Sequence, residues 1–217
     1  MNLQFIDVEQ GTPDWFVCRA GMPTASCFDK VLAEPRKGQR SKTRDGYLYQ
    51  LADERIYGDV VESYTNANME NGKIREAEAR SIYALERDVD PQLIGFIINR
   101  DLGIGCSPDA LIGKDGHLQI KTSFPRLWVP HLIKGEFPPE YKAQCQGELL
   151  VTGRKWIDLM IYWPGRIPYI IRAERDEVYL RNLANELRIF NDELDGIVAA
   201  MQTRLDLKGQ LKKAAAR

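Results

Sequence analysis

The chain has 217 residues, of which 44% are hydrophobic and 28% are charged. This length supports one hydrophobic core, so we predict a single domain over residues 1–217 with a frayed tail at 208–217. The composition excludes a disordered or fibrous protein. The formal net charge of −1 argues against a protein whose whole surface binds nucleic acid, so any contact with DNA has to come from local patches.

Membrane and disulfide patterns are missing from the sequence. No stretch approaches the roughly 20 apolar residues of a membrane span, and the first residues lack the basic and apolar start of a signal peptide. We therefore expect a cytoplasmic protein without membrane contact. The cysteines form no Cys-x-x-Cys pair and only two histidines could complete a zinc site, which favours reduced thiols.

The N-terminal third of the chain is predicted to be helical. Thr12 and Pro13 are a cap and a first-turn proline, and Gly21 is expected to end the first helix. The helical patterns extend over residues 12–21, 24–32, 45–57 and 68–85. In the last of them, four apolar residues fall on roughly one face, namely Ile74, Ala77, Ile82 and Leu85.

Strand patterns begin after Gln92, where the hydrophobic period changes. The predicted strands are residues 93–98, 102–106, 110–112, 117–121, 156–163 and 167–172. A helix is expected from Pro138 to about Leu150, and a long terminal helix from about Asp176 to Leu205. This order predicts an α/β sandwich with a mixed central sheet flanked by helices.

Polar residues interrupt an apolar strand near the middle of the chain. Because side chains alternate along a strand, Gln119 and Lys121 point the same way while Ile120 points into the core. If the loop at 113–115 has an odd length, Asp109 lies opposite Gln119 and joins that face, whereas an even loop separates them. Spacing alone favours the simpler interpretation, a half-buried hairpin with solvated polar ends.

An acid, an amide and a lysine on one face are suited to phosphodiester hydrolysis. In such sites carboxylates hold Mg²⁺, the metal activates water, and a lysine orients or deprotonates the nucleophile. The same residues are therefore candidates for a metal-dependent nuclease site.

The motifs around these residues resemble a known family. Ser107-Pro108-Asp109 followed by Gln119-Ile120-Lys121 is similar to the Asp…(Glu or Asp)-x-Lys signature of restriction-type nucleases. The match with the phage lambda exonuclease family, which includes the YqaJ-like viral recombination nucleases, runs from about Glu9 to Glu177. Its further motifs are Trp15-Phe16-Val17-Cys18-Arg19, Thr24-Ala25-Ser26, Asn71-Gly72-Lys73 with Glu76, and Ala143-Gln144-Cys145-Gln146.

The resemblance implies a restriction-endonuclease-like fold and an activity. Members of this family degrade one strand of linear duplex DNA from a 5′-phosphorylated end with two Mg²⁺ per site, leaving a 3′ single strand for recombination. The resemblance also implies a homotrimer ring that threads DNA and, as a protein partner, a phage single-strand annealing recombinase.

The resemblance assigns roles to the residues at the site. Asp109 is the central metal ligand, Gln119 stands in the place of the second metal carboxylate, and Lys121 is the catalytic lysine. Glu76 is an additional acid near the metals, with Glu78 as the competing choice on a solvated helix face. The main-chain carbonyl of Ile120 completes a metal shell. Gln144 matches a polar residue near the active site.

A pocket for the 5′-phosphate is implied at Arg19, Ser26 and Ser107, whose donors suit a phosphate. Without the family match, these residues would be interpreted as a surface arginine, a helix cap and a turn former. Met69 matches an apolar wedge that helps to separate the strands, although a buried methionine is also a common core residue. The basic segment from Arg36 to Arg44 is a candidate phosphate track or simply solvated surface.

Glutamine at position 119 departs from the family pattern. It is nearly isosteric with glutamate but neutral, so a site for two Mg²⁺ loses charge compensation and hydrolysis should be slow or absent. Either the natural protein carries glutamine, or a glutamate was replaced to trap substrate. The retention of the remaining site residues favours the second history. With the first, the chain would be a catalytically silent protein that binds DNA ends.

Overall fold

A computed structural model describes residues 1–35, 39–58 and 67–215, without the side chains of 67–71, 73 and 207–215. The helices are α1 (Pro13–Arg19), α2 (Phe28–Val31), α3 (Lys42–Tyr57), α4 (Ala67–Arg87), α5 (Pro125–Lys134), α6 (Lys142–Thr152) and α7 (Glu177–Ala215), with 3₁₀ turns at Ala25–Cys27 and Pro139–Tyr141. The strands are β1 (Leu3–Ile6), β2 (Phe96–Asn99), β3 (Ile104–Cys106), β4 (Ala110–Ile112), β5 (Gly116–Thr122), β6 (Trp156–Tyr162) and β7 (Tyr169–Glu174).

The strands form two sheets. The first has the order β1-β2-β3 and is antiparallel, and the second has the order β4-β5-β6-β7. In the second sheet β5 and β6 run parallel while the outer pairs are antiparallel. The predicted α/β class with a mixed sheet and flanking helices is confirmed.

The division into two sheets falls inside the predicted run of consecutive strands. Ser107 and Pro108 lie between β3 and β4, and a proline has no N–H to donate to a strand ladder. The first sheet also contains β1, which the sequence analysis did not predict. Its partner β2 is far away in the chain, so the local sequence carries little sign of the pairing.

Helices cover both faces of the second sheet. On one face, α4 packs on β4, β5 and β6 through Ala79, Tyr83, Leu118 and Met160. On the other, α5 and α6 cover β6 and β7. Leu118 and Ile120 point towards α4, so by alternation the odd-numbered residues of β5 face α6. This second face carries the predicted polar residues.

Helix α4 packs on the core mainly through residues outside its predicted apolar stripe. Ile74 and Leu85 are 70% and 86% exposed, whereas Ala79 and Tyr83 are buried. The Tyr83 hydroxyl donates to Oδ2 of the buried Asp158 over 2.7 Å. This polar anchor, together with the small Ala79, orients the helix. Of the predicted stripe, Ile82 packs against this core cluster, whereas Ile74 and Leu85 are exposed.

Two further elements differ from the sequence-based expectation. Helix α5 was not predicted, although Pro125 stands in its first turn and Gly135 ends it at a φ of +65°. Helix α7 continues to Ala215, beyond the expected end near Leu205. Fraying of the tail at 208–217 stays a prediction, since it concerns side chains and terminal residues outside the described ones. Among the described helices, none combines the length and hydropathy needed to cross a membrane.

A glycine sets the distance between α6 and the N-terminal helices. A Cβ at Gly147 would lie 2.4 Å from Cδ2 of the buried Phe28 and 3.3 Å from Cβ of Ala25. We predict that Gly147→Ala destabilises the protein by about 1–3 kcal/mol through overpacking. Urea unfolding followed by circular dichroism measures this change.

Gly196 on α7 is the matched control, because a Cβ there meets nothing within 4 Å. Gly196→Ala should stabilise the protein by roughly 0.5–1 kcal/mol through helix propensity alone. Equal stability of the two variants would contradict the close packing at Gly147.

Candidate active site

The hairpin of β4 and β5 brings the predicted acid and amide together. Ala110 pairs with Leu118, and continuing this register places Asp109 opposite Gln119. The intervening loop is residues 113–115, an odd length, with Gly113 at a φ of +52°. The conditional prediction of the sequence analysis is therefore confirmed, because the odd loop is the one present.

Asp109 is held by two donors from β5. Nε2 of Gln119 donates to Oδ2 of Asp109 over 2.6 Å, and the main-chain N–H of Ile120 donates to the same oxygen over 2.5 Å. Both side chains are buried, Asp109 with 8% and Gln119 with 3% of its surface exposed. Because both donors reach one oxygen, Oδ1 remains available to a further partner.

Burial and neighbouring charges shift the pKa of Asp109. Burial raises the pKa of Asp109 well above its usual range, and the charge of Glu76 raises it further. The charge of Lys121 and the Ile120 N–H shift the same pKa downwards. Arg80 links this acid pair, since its Nη1 donates to Oε1 of Glu76 and to the main-chain oxygen of Asp109, both over 3.1 Å. A buried acid beside a second acid is an arrangement common at functional sites.

Lys121 is fixed by a side chain of α6. Its Nζ donates to Oε1 of Gln144 over 2.8 Å, and Nε2 of Gln144 donates to Oε1 of Glu148 over 3.1 Å. An ammonium can only donate and a carboxylate oxygen here accepts, so the amide of Gln144 has one possible orientation. The predicted neighbourhood of Lys121 and Gln144 is present in the structure.

Behind Gln144, a buried histidine continues this hydrogen-bond chain. The Thr152 hydroxyl donates to the main-chain oxygen of Glu148 over 2.8 Å, so it accepts from Nε2 of His117 over 2.9 Å. Nδ1 of His117 faces Oε2 of Glu148 at 3.3 Å. A nitrogen lone pair facing a carboxylate would repel it, so a proton lies between these two atoms. The pair therefore holds one shared proton in the core.

The oxygen atoms around Asp109 fit a divalent cation. Oε1 of Gln119 is buried and has no hydrogen-bond partner. Such an orphan atom is costly unless something else contacts it, and a cation is one such partner. Carboxylate, amide and main-chain carbonyl oxygens are the ligands that Mg²⁺ accepts. Among the described residues there is no group of three or more His, Cys, Asp or Glu that could hold a metal ion.

A second polar cluster surrounds Arg19. Its guanidinium stacks on the Trp15 ring at 3.8 Å from the centroid, and Nη2 donates to Oγ1 of Thr24 at 3.3 Å and to Oγ of Ser26 at 3.2 Å. Burial lowers the pKa of Arg19 because the stacked guanidinium is partly withdrawn from water. The Trp15 indole also donates to Oγ of Ser107 over 2.9 Å. Arg19 and Ser26 are thus in contact, and Ser107 is linked to them through Trp15.

One cleft of about 1070 Å³ joins the two clusters. Asp109, Ile120 and Glu76 line one part of it, and Arg19 and Thr24 line another. The cleft therefore exposes an acidic cluster and a cationic cluster to the same space.

The remaining sequence candidates lie outside this arrangement. The side chain of Met69 and residues 36–38 of the basic segment are outside the described residues. Arg40 and Arg44 both pair with Glu193 on α7, the latter over 2.6 Å, and Arg40 also pairs with Asp45. Because these two arginines are already neutralised, the candidate phosphate track loses part of its charge.

Sequence analysis missed Glu148, Thr152 and the positioning role of His117. Two signals could have found them. Glu148 follows Gln144 by one helical turn on α6, a spacing that puts both on one face. His117 shares a β5 face with Gln119 by simple alternation. Arg80 and Trp15 carried no such signal, since their contacts join distant parts of the chain.

Comparisons with known proteins agree with this fold. The fold of the chain is similar to that of solved alkaline exonucleases. A crystal structure of LHK-Exo in complex with dAMP has a TM-score of 0.79 and 28% identity, covering 90% of this chain and 98% of that chain. A second structure, of the alkaline exonuclease LHK-Exo from Laribacter hongkongensis, has a TM-score of 0.78 and 27% identity with the same coverage.

The family follows from the sequence. The chain belongs to the YqaJ-like viral recombinase domains, which match residues 14–155. This confirms the resemblance to the lambda exonuclease family. A phage-related exonuclease from Haemophilus somnus, with a TM-score of 0.61 and 13% identity over 83% of this chain and 96% of that chain, shows the same fold. No curated protein matches the chain.

The shared proton between His117 and Glu148 predicts how substitutions at Glu148 differ. In Glu148→Gln the new amide oxygen accepts from Gln144 and its NH₂ donates to a neutral His117, so all bonds remain and the loss should stay within about 1 kcal/mol. Glu148→Ala leaves both neighbours unpaired in the core and should cost about 3 kcal/mol or more. Denaturant unfolding of the two variants measures the difference. Equal destabilisation would disprove the assigned proton positions.

Proposed function

We propose that this chain is a Mg²⁺-dependent nuclease that degrades one strand of linear duplex DNA from a 5′-phosphorylated end and leaves a 3′ single strand for recombination. The observation that carries the proposal is the joint cleft. Its lining includes Asp109, which Gln119 contacts, and Arg19, whose guanidinium donates to the Thr24 and Ser26 hydroxyls, a group suited to a terminal phosphate.

The residues of the chain divide the task between binding and reaction. Arg19 and Ser26 hold the terminal phosphate and so set which phosphodiester reaches Asp109. Lys121, aimed by Gln144, places its Nζ beside the reacting phosphate, where it orients the attacking water. Mg²⁺ held by Asp109, the Oε1 of Gln119 and their neighbours Glu76 and the Ile120 carbonyl would supply water activation and charge stabilisation.

The overall reaction consumes one water. Its oxygen forms a bond with phosphorus, the bond from phosphorus to the 3′ oxygen of the released nucleotide breaks, and that oxygen takes up a proton. The remaining strand then begins with a 5′-phosphate. Because this new end has the chemistry that Arg19 binds, each cycle recreates its own substrate.

Gln119 limits this activity in the proposal. A carboxylate at this position would add a charge for a second Mg²⁺, and the amide supplies only a neutral oxygen. We interpret it as a replaced glutamate. One observation favours the alternative of a natural, silent DNA-end binding protein: Nε2 of Gln119 donates to Asp109 and so holds the site together without a metal.

The proposal extends to assembly and partners by analogy with the family. A homotrimer ring fits the near-neutral net charge, because only the lining of the channel has to be basic. A phage single-strand annealing recombinase is the protein partner, and the cytoplasm of the bacterial host is the location.

The test compares the chain and its Gln119→Glu variant on linear duplex DNA with 5′-phosphate ends in Mg²⁺. We expect the variant to release mononucleotides from the 5′ ends at least about 10-fold faster, because a metal ligand regains its charge. Nucleotide release is followed by chromatography. Absence of release from both proteins, with binding of the phosphorylated ends retained, would replace the proposal with the end-binding alternative.

Two controls separate an exonuclease from an endonuclease. Closed circular DNA should remain intact, and duplex with 5′-hydroxyl ends should be degraded more slowly than phosphorylated duplex. Arg19→Ala in the Gln119→Glu background should remove the preference for phosphorylated ends, because the anion then has no guanidinium partner. Cleavage of circles at a similar rate would contradict the exonuclease assignment.

The stability of the Gln119→Glu variant should depend on Mg²⁺. In Gln119→Glu, the hydrogen bond from Nε2 to Asp109 is replaced by a contact between two carboxylates, so the metal-free protein should lose about 1–3 kcal/mol. Mg²⁺ should restore the loss by binding the folded state. Thermal unfolding with EDTA and with Mg²⁺ measures this. A melting temperature of the variant that does not respond to Mg²⁺ would argue against a metal at Asp109.

A further inference from the structure

Two aromatic rings form a stacked pair where β5 and β6 end. The Phe124 and Trp163 rings lie 4.4 Å apart between centroids, with an interplanar angle of 35°. β5 and β6 are parallel, and their last residues, Thr122 and Tyr162, are paired. The chain segments that leave the two strands therefore emerge side by side, which brings the rings together. We call Phe124 and Trp163 the aromatic platform.

Arginines lie against both rings of the aromatic platform. The Arg75 guanidinium is 4.6 Å from the Trp163 ring centroid, and that of Arg126 is 5.8 Å from the Phe124 centroid. Within the described parts of the chain neither guanidinium has an ion-pair partner. The platform is thus an aromatic surface with a positive charge on each side.

The platform is exposed, although it is built from large aromatic residues. Phe124 is 55% exposed, and Trp163 is partly buried beside it. A ring that only packed the core would be buried, and a residue that only kept the protein soluble would not be aromatic. Exposed aromatic surface with flanking arginines is the chemistry that stacks nucleobases and neutralises the phosphates between them.

The platform lies close in the chain to residues of β5 and α4 that line the cleft. Thr122 lines the cleft and precedes Phe124 by two residues, and Glu76 lines it immediately after Arg75. Lys121 and Phe124 are three positions apart, so their Cα atoms are separated by at most about 11 Å. A nucleotide next to the reacting phosphate can span such a distance. Arg19 and Ser26, the residues suited to the terminal phosphate, lie on α1 and the 3₁₀ turn and are separate from the aromatic platform.

We propose that the aromatic platform is a binding site for an unpaired base of the DNA strand in the cleft, with Arg75 and Arg126 contacting the adjoining phosphates. This rests on the proposed function, since the cleft has to hold DNA. A base stacked on Phe124 cannot pair with the opposite strand. The platform therefore selects strand ends that are already open or keeps them open near Lys121.

The test is binding of a short 5′-phosphorylated oligothymidylate to the full chain in Ca²⁺, measured by fluorescence anisotropy. Phe124→Ala should bind about 5- to 100-fold more weakly, the range for the loss of one base stack. Phe124→Tyr should bind like the unchanged chain, because any aromatic ring stacks a base. With 5-iodouracil in the oligonucleotide, light-induced crosslinks should map to Phe124 or Trp163.

Phe5 is the matched control, since it is 53% exposed and lies on β1 of the other sheet. Phe5→Ala should leave the affinity unchanged. Equal affinities of Phe124→Ala and Phe5→Ala would overturn the proposal. A weaker affinity of Phe124→Ala would also overturn it if light scattering showed a changed number of subunits, because a second copy of the chain would then occupy the surface.

The outcome is independent of the proposed nuclease activity. Binding that depends on Phe124, without nucleotide release in Mg²⁺, supports the platform while the nuclease proposal fails. Nucleotide release with an affinity indifferent to Phe124 overturns the platform and leaves the nuclease proposal standing.

Discussion

The short contacts that β5 makes to the Asp109 carboxylate determine the arrangement of the cleft. One carboxylate oxygen accepts both from the Gln119 amide and from the Ile120 N–H, which fixes the acid against the strand that also carries Lys121. Arg80 then ties α4 to the same residue through its main-chain oxygen. The acid, the strand that carries the lysine and the helix bearing Glu76 are therefore linked through Asp109.

Helix α6 supports this arrangement from behind. Gln144, Glu148 and Thr152 follow one another at intervals of one turn, and each contacts β5 or a neighbour that does. Buried polar chains of this kind are stable when every donor and acceptor is satisfied. Gly147 lets the same helix approach Phe28 closely. One face of α6 therefore contacts the site, while another packs against the N-terminal helices.

The sequence predicted the fold class and the family from period and motif order, and it placed Asp109 opposite Gln119 on the condition of an odd loop. The sequence-based prediction failed where a contact with a residue far away in the chain decides how an element or side chain is oriented. Ile74 and Leu85 of the predicted stripe are exposed, because α4 packs on the sheet mainly through Ala79 and through Tyr83, which donates to Asp158. Likewise, the pairing of His117 with Glu148 joins residues 31 positions apart, which no local pattern reveals.

The three-residue turn between β4 and β5 restricts how this protein can vary. Because a shift of one residue exchanges the two faces of a strand, a single insertion or deletion between Ile112 and Gly116 that shifted the pairing of β4 with β5 would carry Asp109 away from Gln119 and Ile120. Insertions or deletions of two residues would keep Asp109 on the same face as Gln119. Natural variation in the length of this turn should therefore occur in even steps, even though the turn itself lies outside the cleft.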